Sequence, residues 1–155
     1  MRGNTTLRTL DLSYCALPDK YATYVSRLIQ EQAETKEQLL WANSLRKDKV
    51  QQMIQTQESQ DGLAEIVLHH NMLATQFMTK LASILRNDKY TRKVDLQHNC
   101  VSEVSDEFWK SLEMSETVLS VDLRSNPGVL PEHLCRISET CLRNCELARK
   151  HQTPV

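Results

Sequence analysis

Histidine and cysteine are the residues of this 155-residue chain best suited to chemistry. If His70 and His98 sit on neighbouring parallel strands, they come within about 5 Å of each other with His69 alongside, a spacing that could suit a metal ion. No carboxylate or thiol obviously converges on them, so a solvated or partner-contacting role is the plainer reading and no metal is assigned. The five cysteines are Cys15, Cys100, Cys135, Cys141 and Cys145. A thiol acts as nucleophile only as thiolate, and Cys15 has no assignable base. Cys141 and Cys145 are i,i+4 on an apolar helical face with Cys135 further back, the pattern of buried structural thiols. Trp41 and Trp109 read as core residues by default. Trp109 follows Phe108 and lies partly off the apolar stripe, which makes it a candidate for surface contact. No catalytic residue and no cofactor follow, and the reading is of a non-enzyme.

Composition narrows the function further. With 19 Lys and Arg against 20 Asp and Glu, the net charge is -1, which gives no electrostatic footprint for nucleic acid or anionic lipid. The three glycines, Gly3, Gly62 and Gly128, stand alone, so no GxGxxG or GxxxxGK[ST] phosphate loop can be written. No apolar run reaches signal-peptide or membrane-spanning length, and the odd cysteine count without a CxxC pair fits reduced thiols. Together these predict a cytoplasmic protein without membrane insertion.

The elements that must position these residues emerge from an internal repeat. Leu7–Leu17 (LRTLDLSYCAL) and Leu63–Leu73 (LAEIVLHHNML) fit the pattern LxxLxLxx(N/C)xL, and Thr91–Val101 (TRKVDLQHNCV) and Val118–Gly128 (VLSVDLRSNPG) fit it more loosely. Successive starts are separated by 56, 28 and 27 residues, so one period recurs and is once doubled. Alternation along each LxLx core buries the aliphatic residues and leaves the residues between them on the opposite face. Cys15, Asn71, Asn99 and Asn126 share the strand-end position, where an Asn side chain can bond the loop backbone of adjacent coils. This is the leucine-rich-repeat signature. It predicts an α/β solenoid of ribonuclease-inhibitor type, with short parallel strands on a concave face and helices on a convex one.

The return segments read as helices. Phe77, Leu81, Ile84 and Leu85 recur at helical spacing, as do Val104, Phe108 and Leu112 behind the start signal Ser105-Asp106-Glu107. Pro131 opens a capping helix over about 131–149, with Leu134, Ile137, Cys141, Leu142 and Cys145 on one broad face, before a tail at 151–155. In the doubled interval, Tyr21–Lys47 favours helix by composition, and a helical insertion is placed at about 33–61, with Asp48–Gly62 a looser polar excursion. Residues 35–45 could instead be a degenerate repeat. One domain over residues 1–150 results.

The order TLRTLDLSYCAL, a helical stretch with WANSLR, LAEIVLHHN, KVDLQHNCVS and ETVLSVDLRSNPGV resembles the later leucine-rich repeats of the 78-kilodalton centrosomal protein family. The resemblance covers about residues 4–130 and rests most on the WAxSLR-type insertion and the NPG ending. It implies a protein-binding role at centrosomes, centrioles or ciliary basal bodies, with centrosomal or ubiquitin-ligase components as partners. Family members have earlier repeats and a long C-terminal region, so the chain is read as a fragment or shortened relative.

The expected function is thus a non-enzymatic protein-interaction scaffold, acting through its concave repeat surface. Side-chain alternation assigns Thr9, Asp11 and Ser13, then Glu65, Val67 and His69, then Lys93, Asp95 and Gln97, then Ser120, Asp122 and Arg124 to that face. Asp11, Glu65, His69, Lys93, Asp95, Gln97, Asp122 and Arg124 are the candidate binding residues of an acid-centred surface suited to a basic helix or loop. Reversing Asp95 and Asp122 to Lys is expected to weaken binding while hardly changing folding. Self-association through the edge of the first strand is also expected. Two other readings stand behind this one: a different cytosolic leucine-rich-repeat module, tropomodulin-like or an innate-sensor fragment, and more remotely a thiol or histidine enzyme.

Overall fold

A computed structural model describes residues 7–44 and 62–152. Each repeat contributes one three-residue strand: β1 Thr9–Asp11, β2 Glu65–Val67, β3 Lys93–Asp95 and β4 Ser120–Asp122. The strands pair in parallel in the order β1-β2-β3-β4, and the central residues Leu10, Ile66, Val94 and Val121 fall in one register. All four are buried, because alternation turns them toward the helices while their neighbours face outward. Leu68, Leu96 and Leu123, two residues further on, are fully buried. The α/β architecture with a parallel sheet read from the repeat is thus present.

Among the described residues, four helices cover the apolar face. After a 3-10 turn at Asp19–Tyr21, α1 spans Ala22–Ser44 and buries Ala22, Val25, Ser26, Ile29 and Gln32, a stripe at helical spacing. Residues 35–44 are therefore helical and form no repeat strand; 45–61, the remainder of the expected insertion, lie outside the described residues. Next, α2 spans Thr75–Asn87 and buries Phe77, Met78, Leu81, Ala82, Ile84 and Leu85. Then α3 spans Asp106–Met114, where the Ser105 hydroxyl accepts from the Phe108 N–H at 3.3 Å, as its start signal implied.

The last helix, α4, spans Pro131–Gln152, so residues 151 and 152 continue it instead of beginning a tail. Its buried stripe is Ile137, Thr140, Cys141 and Asn144. Leu142 is 59% exposed, which corrects its assignment to the apolar face: one step of about 100° beyond Cys141 rotates it off that stripe. Cys135 is likewise exposed and not a buried thiol. Trp109 is buried, as its default core reading has it, and the surface-contact alternative falls. The Arg136 guanidinium of α4 lies 4.4 Å from its ring centroid and His133 stacks at a tilt 5.6 Å away, so the neighbouring helix covers the ring. Trp41 lies in α1 at a position whose side chain is outside the described residues.

Three polar devices hold the layers in place. The Asn71, Asn99 and Asn126 side chains each accept from the N–H of the preceding unit, Leu17 at 2.9 Å, Leu73 at 3.0 Å and Val101 at 3.0 Å. Each also donates to carbonyls of both units, as Asn99 does to Leu68 at 2.9 Å and Leu96 at 3.1 Å. Asp19 supplies the cap that Ala74 cannot: its carboxylate accepts from the N–H groups of Ala74, Gln76 and Phe77 at 2.8 to 3.0 Å, closing the start of α2. Asn144, fully buried in α4, donates to Ser115 at 2.9 Å and Val118 at 2.8 Å, satisfying the loop ahead of β4.

Candidate interaction surface

The face of the sheet turned away from the helices carries the predicted grid in ordered rows. Thr9, Glu65, Lys93 and Ser120 form one row, and Asp11, Val67, Asp95 and Asp122 the next. Ser13, His69, Gln97 and Arg124 follow two residues beyond. Four of the charges form two pairs: Lys93 meets Glu65 at 2.7 Å, and Arg124 forks onto Asp122 with contacts of 3.0 and 2.6 Å. Asp11 and Asp95 have no cation within ion-pair distance among the described residues.

The aspartates do more than colour the surface. Asp11, Asp95 and Asp122 each accept from the backbone N–H two residues on, those of Ser13, Gln97 and Arg124, at 2.9, 3.0 and 3.1 Å. Each therefore fixes the bend at the end of its strand. Ser13 adds its hydroxyl to Asp11 at 2.6 Å, and these two bonds hold the Asp11 carboxyl below the usual carboxylate range. Burial pushes Asp122 upward, but the bonds and charge of Arg124 outweigh it and leave the net shift downward. Converting Asp95 and Asp122 to Lys would thus remove two backbone anchors, which corrects the expectation that such a reversal hardly touches folding. Asn is the variant that removes charge and keeps the acceptor.

Beyond the aspartates the chain turns sharply at one template position. Tyr14, His70, His98 and Ser125 all have positive φ, between 51° and 61°, in the left-handed region that a non-glycine residue enters at a cost. Their side chains consequently project from one rim at the strand spacing. Tyr14 stacks on His70 with centroids 4.3 Å apart and planes at 18°, and His70 stacks on His98 at 4.2 Å and 25°. His69 stands edge-on to Tyr14 and to His70, both at 5.1 Å, and its Nδ1 lies 2.9 Å from Nδ1 of His70. At that distance one nitrogen donates and the other accepts, which requires the pair to share a single proton there. The His70 pKa is lowered, first by desolvation of its ring and then by the neighbouring His98 and His69.

The histidines converge as the repeat implied, but with Tyr14 stacked on the exposed His70, a neighbour the repeat pattern alone did not single out. Its signal was available, since Tyr14 shares the template position of His70 and His98. Among the described residues, no group of three or more His, Cys, Asp and Glu is placed to hold a metal. Cys15 occupies the Asn position but is exposed, and its thiol reaches only the Ser13 carbonyl at 3.4 Å. It bonds no neighbouring unit, because no preceding coil lies against it among the described residues. Burial raises the pKa of Cys141, and Cys100 is exposed. No helix of the described residues is long and apolar enough to cross a membrane.

An α/β protein with a parallel sheet open on one face and a row of aspartates and aromatic rings along it has the features of an interaction module. No family model matches the chain. It is similar to Centrosomal protein of 78 kDa of Mus musculus, 26% identical over 146 residues that make up 93% of this chain and 18% of that protein. The protein of the same name in Homo sapiens is 24% identical over 151 residues, 96% of this chain and 21% of that protein. The resemblance to the 78-kilodalton centrosomal protein thus holds across nearly the whole chain, which spans about a fifth of these relatives' length. Among solved structures, the tropomodulin C-terminal domain of Caenorhabditis elegans superposes with a TM-score of 0.50 at 12% identity, covering 97% of this chain and 91% of that one. At that identity the likeness is one of fold alone.

Proposed function

We propose that this chain is a non-enzymatic protein-interaction scaffold, a leucine-rich-repeat solenoid of ribonuclease-inhibitor type whose concave face binds a partner protein at centrosomes, centrioles or ciliary basal bodies. The observation that carries this reading is the registered row Asp11, Val67, Asp95 and Asp122, in which two carboxylates have no cation within ion-pair distance among the described residues. Such a row is an anionic surface awaiting a basic partner, and complementary charge steers and orients association. Similarity to relatives named as centrosomal supports the location, and centrosomal or ubiquitin-ligase components are the partners in view. Burial with a raised pKa disfavours the thiolate at Cys141, and among the described residues the Cys15 thiol meets a carbonyl and no base.

Proximity labelling in cells with the tagged full chain tests this. Asp11→Asn with Asp95→Asn removes two charges and keeps the strand-end acceptors. The expected outcome is loss of centrosomal proteins from the labelled set at unchanged expression. An unchanged set would move the contact away from the sheet face, to α1 or α4.

A further inference from the structure

We infer that the rim formed by Tyr14, His70 and His98 recognises an arginine side chain on a basic helix of the partner, with Asp11 and Asp95 as the anions it answers. This rests on the reading of the sheet face as the binding surface and specifies what that surface selects. The first argument is the chemistry of the rim. Tyr14 is 69% exposed although its ring stacks on His70, so a large π-surface is displayed to solvent at the end of the acidic row. Exposed aromatic surface beside unpaired carboxylates suits a guanidinium. Guanidinium is planar, stacks on rings and forks onto carboxylates, whereas an ammonium group is a compact, strongly hydrated charge.

The second argument is spacing. Asp11 and Asp95 flank Val67 in one register row, so they lie two strand spacings apart, about 10 Å. Seven residues of helix rise about 10.5 Å, so a helix lying across the strands meets both with basic residues at i and i+7. Val67, half-buried between them, offers that helix an apolar floor. His69 acts electrostatically on Asp11, and Asp95 on His70, which places the rim and the anions in one electrostatic neighbourhood.

The third argument is protonation. His70 is faced by Tyr14 and His98 across the stack, by His69 through Nδ1 and by the Asp95 charge. The downward shift of His70 favours its neutral form at neutral pH, and its protonation on acidification adds positive charge to the stack. A cationic ligand is then repelled, so binding weakens as pH falls.

The test uses two fluorescent alanine-based helical peptides, identical except that one carries arginine and the other lysine at positions i and i+7, titrated against the full chain by anisotropy. The arginine peptide is expected to bind about fivefold more tightly at neutral pH, the size of a moderate cation–π contact. Tyr14→Ala should abolish that preference and Tyr14→Phe should retain it, with circular dichroism confirming the fold of each. Acidification from neutral pH through the lowered titration range of His70 should weaken binding of the arginine peptide. Equal affinity for the two peptides, or a preference that survives Tyr14→Ala, overturns the arginine site while leaving the acidic face in place if Asp11→Asn with Asp95→Asn still weakens both. If neither peptide binds, or the Asn variants change nothing, the rim and the acidic face fall together.

Discussion

Asn99 uses one buried side chain to tie two units together: it accepts from Leu73 and donates to Leu68 and Leu96. Alanine in its place leaves an N–H and two carbonyls without that partner in a closed interior. The expected cost is about 1 to 3 kcal/mol, read as a lower midpoint in urea with the slope unchanged. Leu96→Ala, at a fully buried position of the same unit, should cost about 2 to 5 kcal/mol through the cavity it leaves. Unchanged midpoints for both variants would sink the repeat assignment. The sequence marked Asn71, Asn99 and Asn126 through their shared template position, because a periodic backbone imposes one periodic requirement. It marked Cys15 by the same logic, and there the inference stops: a template position acquires its role only from the unit it leans against.

At the scale of elements, α2 depends on a residue far away in the sequence. Asp19 caps it across 55 to 58 residues, while α3 is capped locally by Ser105. Asp19→Ala should lower stability by about 1 to 2 kcal/mol, and Asp19→Asn by less, since the amide oxygen still accepts; thermal unfolding of the three proteins checks the order. Ser105 and Pro131 were legible as helix starts because their signals lie beside the helices they begin. Asp19 was not, since Ala74-Thr75 gives no hint that a carboxylate arrives from another unit. Asn144 escaped for a related reason, being a buried polar residue of α4 whose partners, Ser115 and Val118, precede β4. Leu142 shows the converse error, whereas Trp109 follows its default reading as a core residue. Hydrophobicity predicts a tendency to be covered, but the rotation of α4 decides which apolar residue is covered and by what, exposing Leu142 and laying Arg136 over Trp109.

For the whole molecule, the strand order leaves β1 paired only on its β2 side among the described residues. A row of unpaired backbone groups on an edge strand is a template for a second chain. Light scattering after size exclusion should therefore register an apparent mass that rises with concentration. A single monomer mass at every concentration would mean that this edge is covered. Close approach within the stack also leaves little room: a Cβ at Gly128 would lie 1.9 Å from the Ser102 carbonyl oxygen, so the third and fourth units touch backbone to backbone there. The asparagine ladder has a direction as well as a strength, for every bond to Leu17, Leu73 and Val101 comes from the unit that follows. On the ribosome this becomes a matter of timing. The turn of each unit stays open until its successor has emerged, a lag of one 27- or 28-residue step between the last three repeats, or roughly one to six seconds of synthesis. Nascent chains halted just before Asn126 should still exchange the Val101 amide rapidly with solvent, and those halted after α4 should protect it.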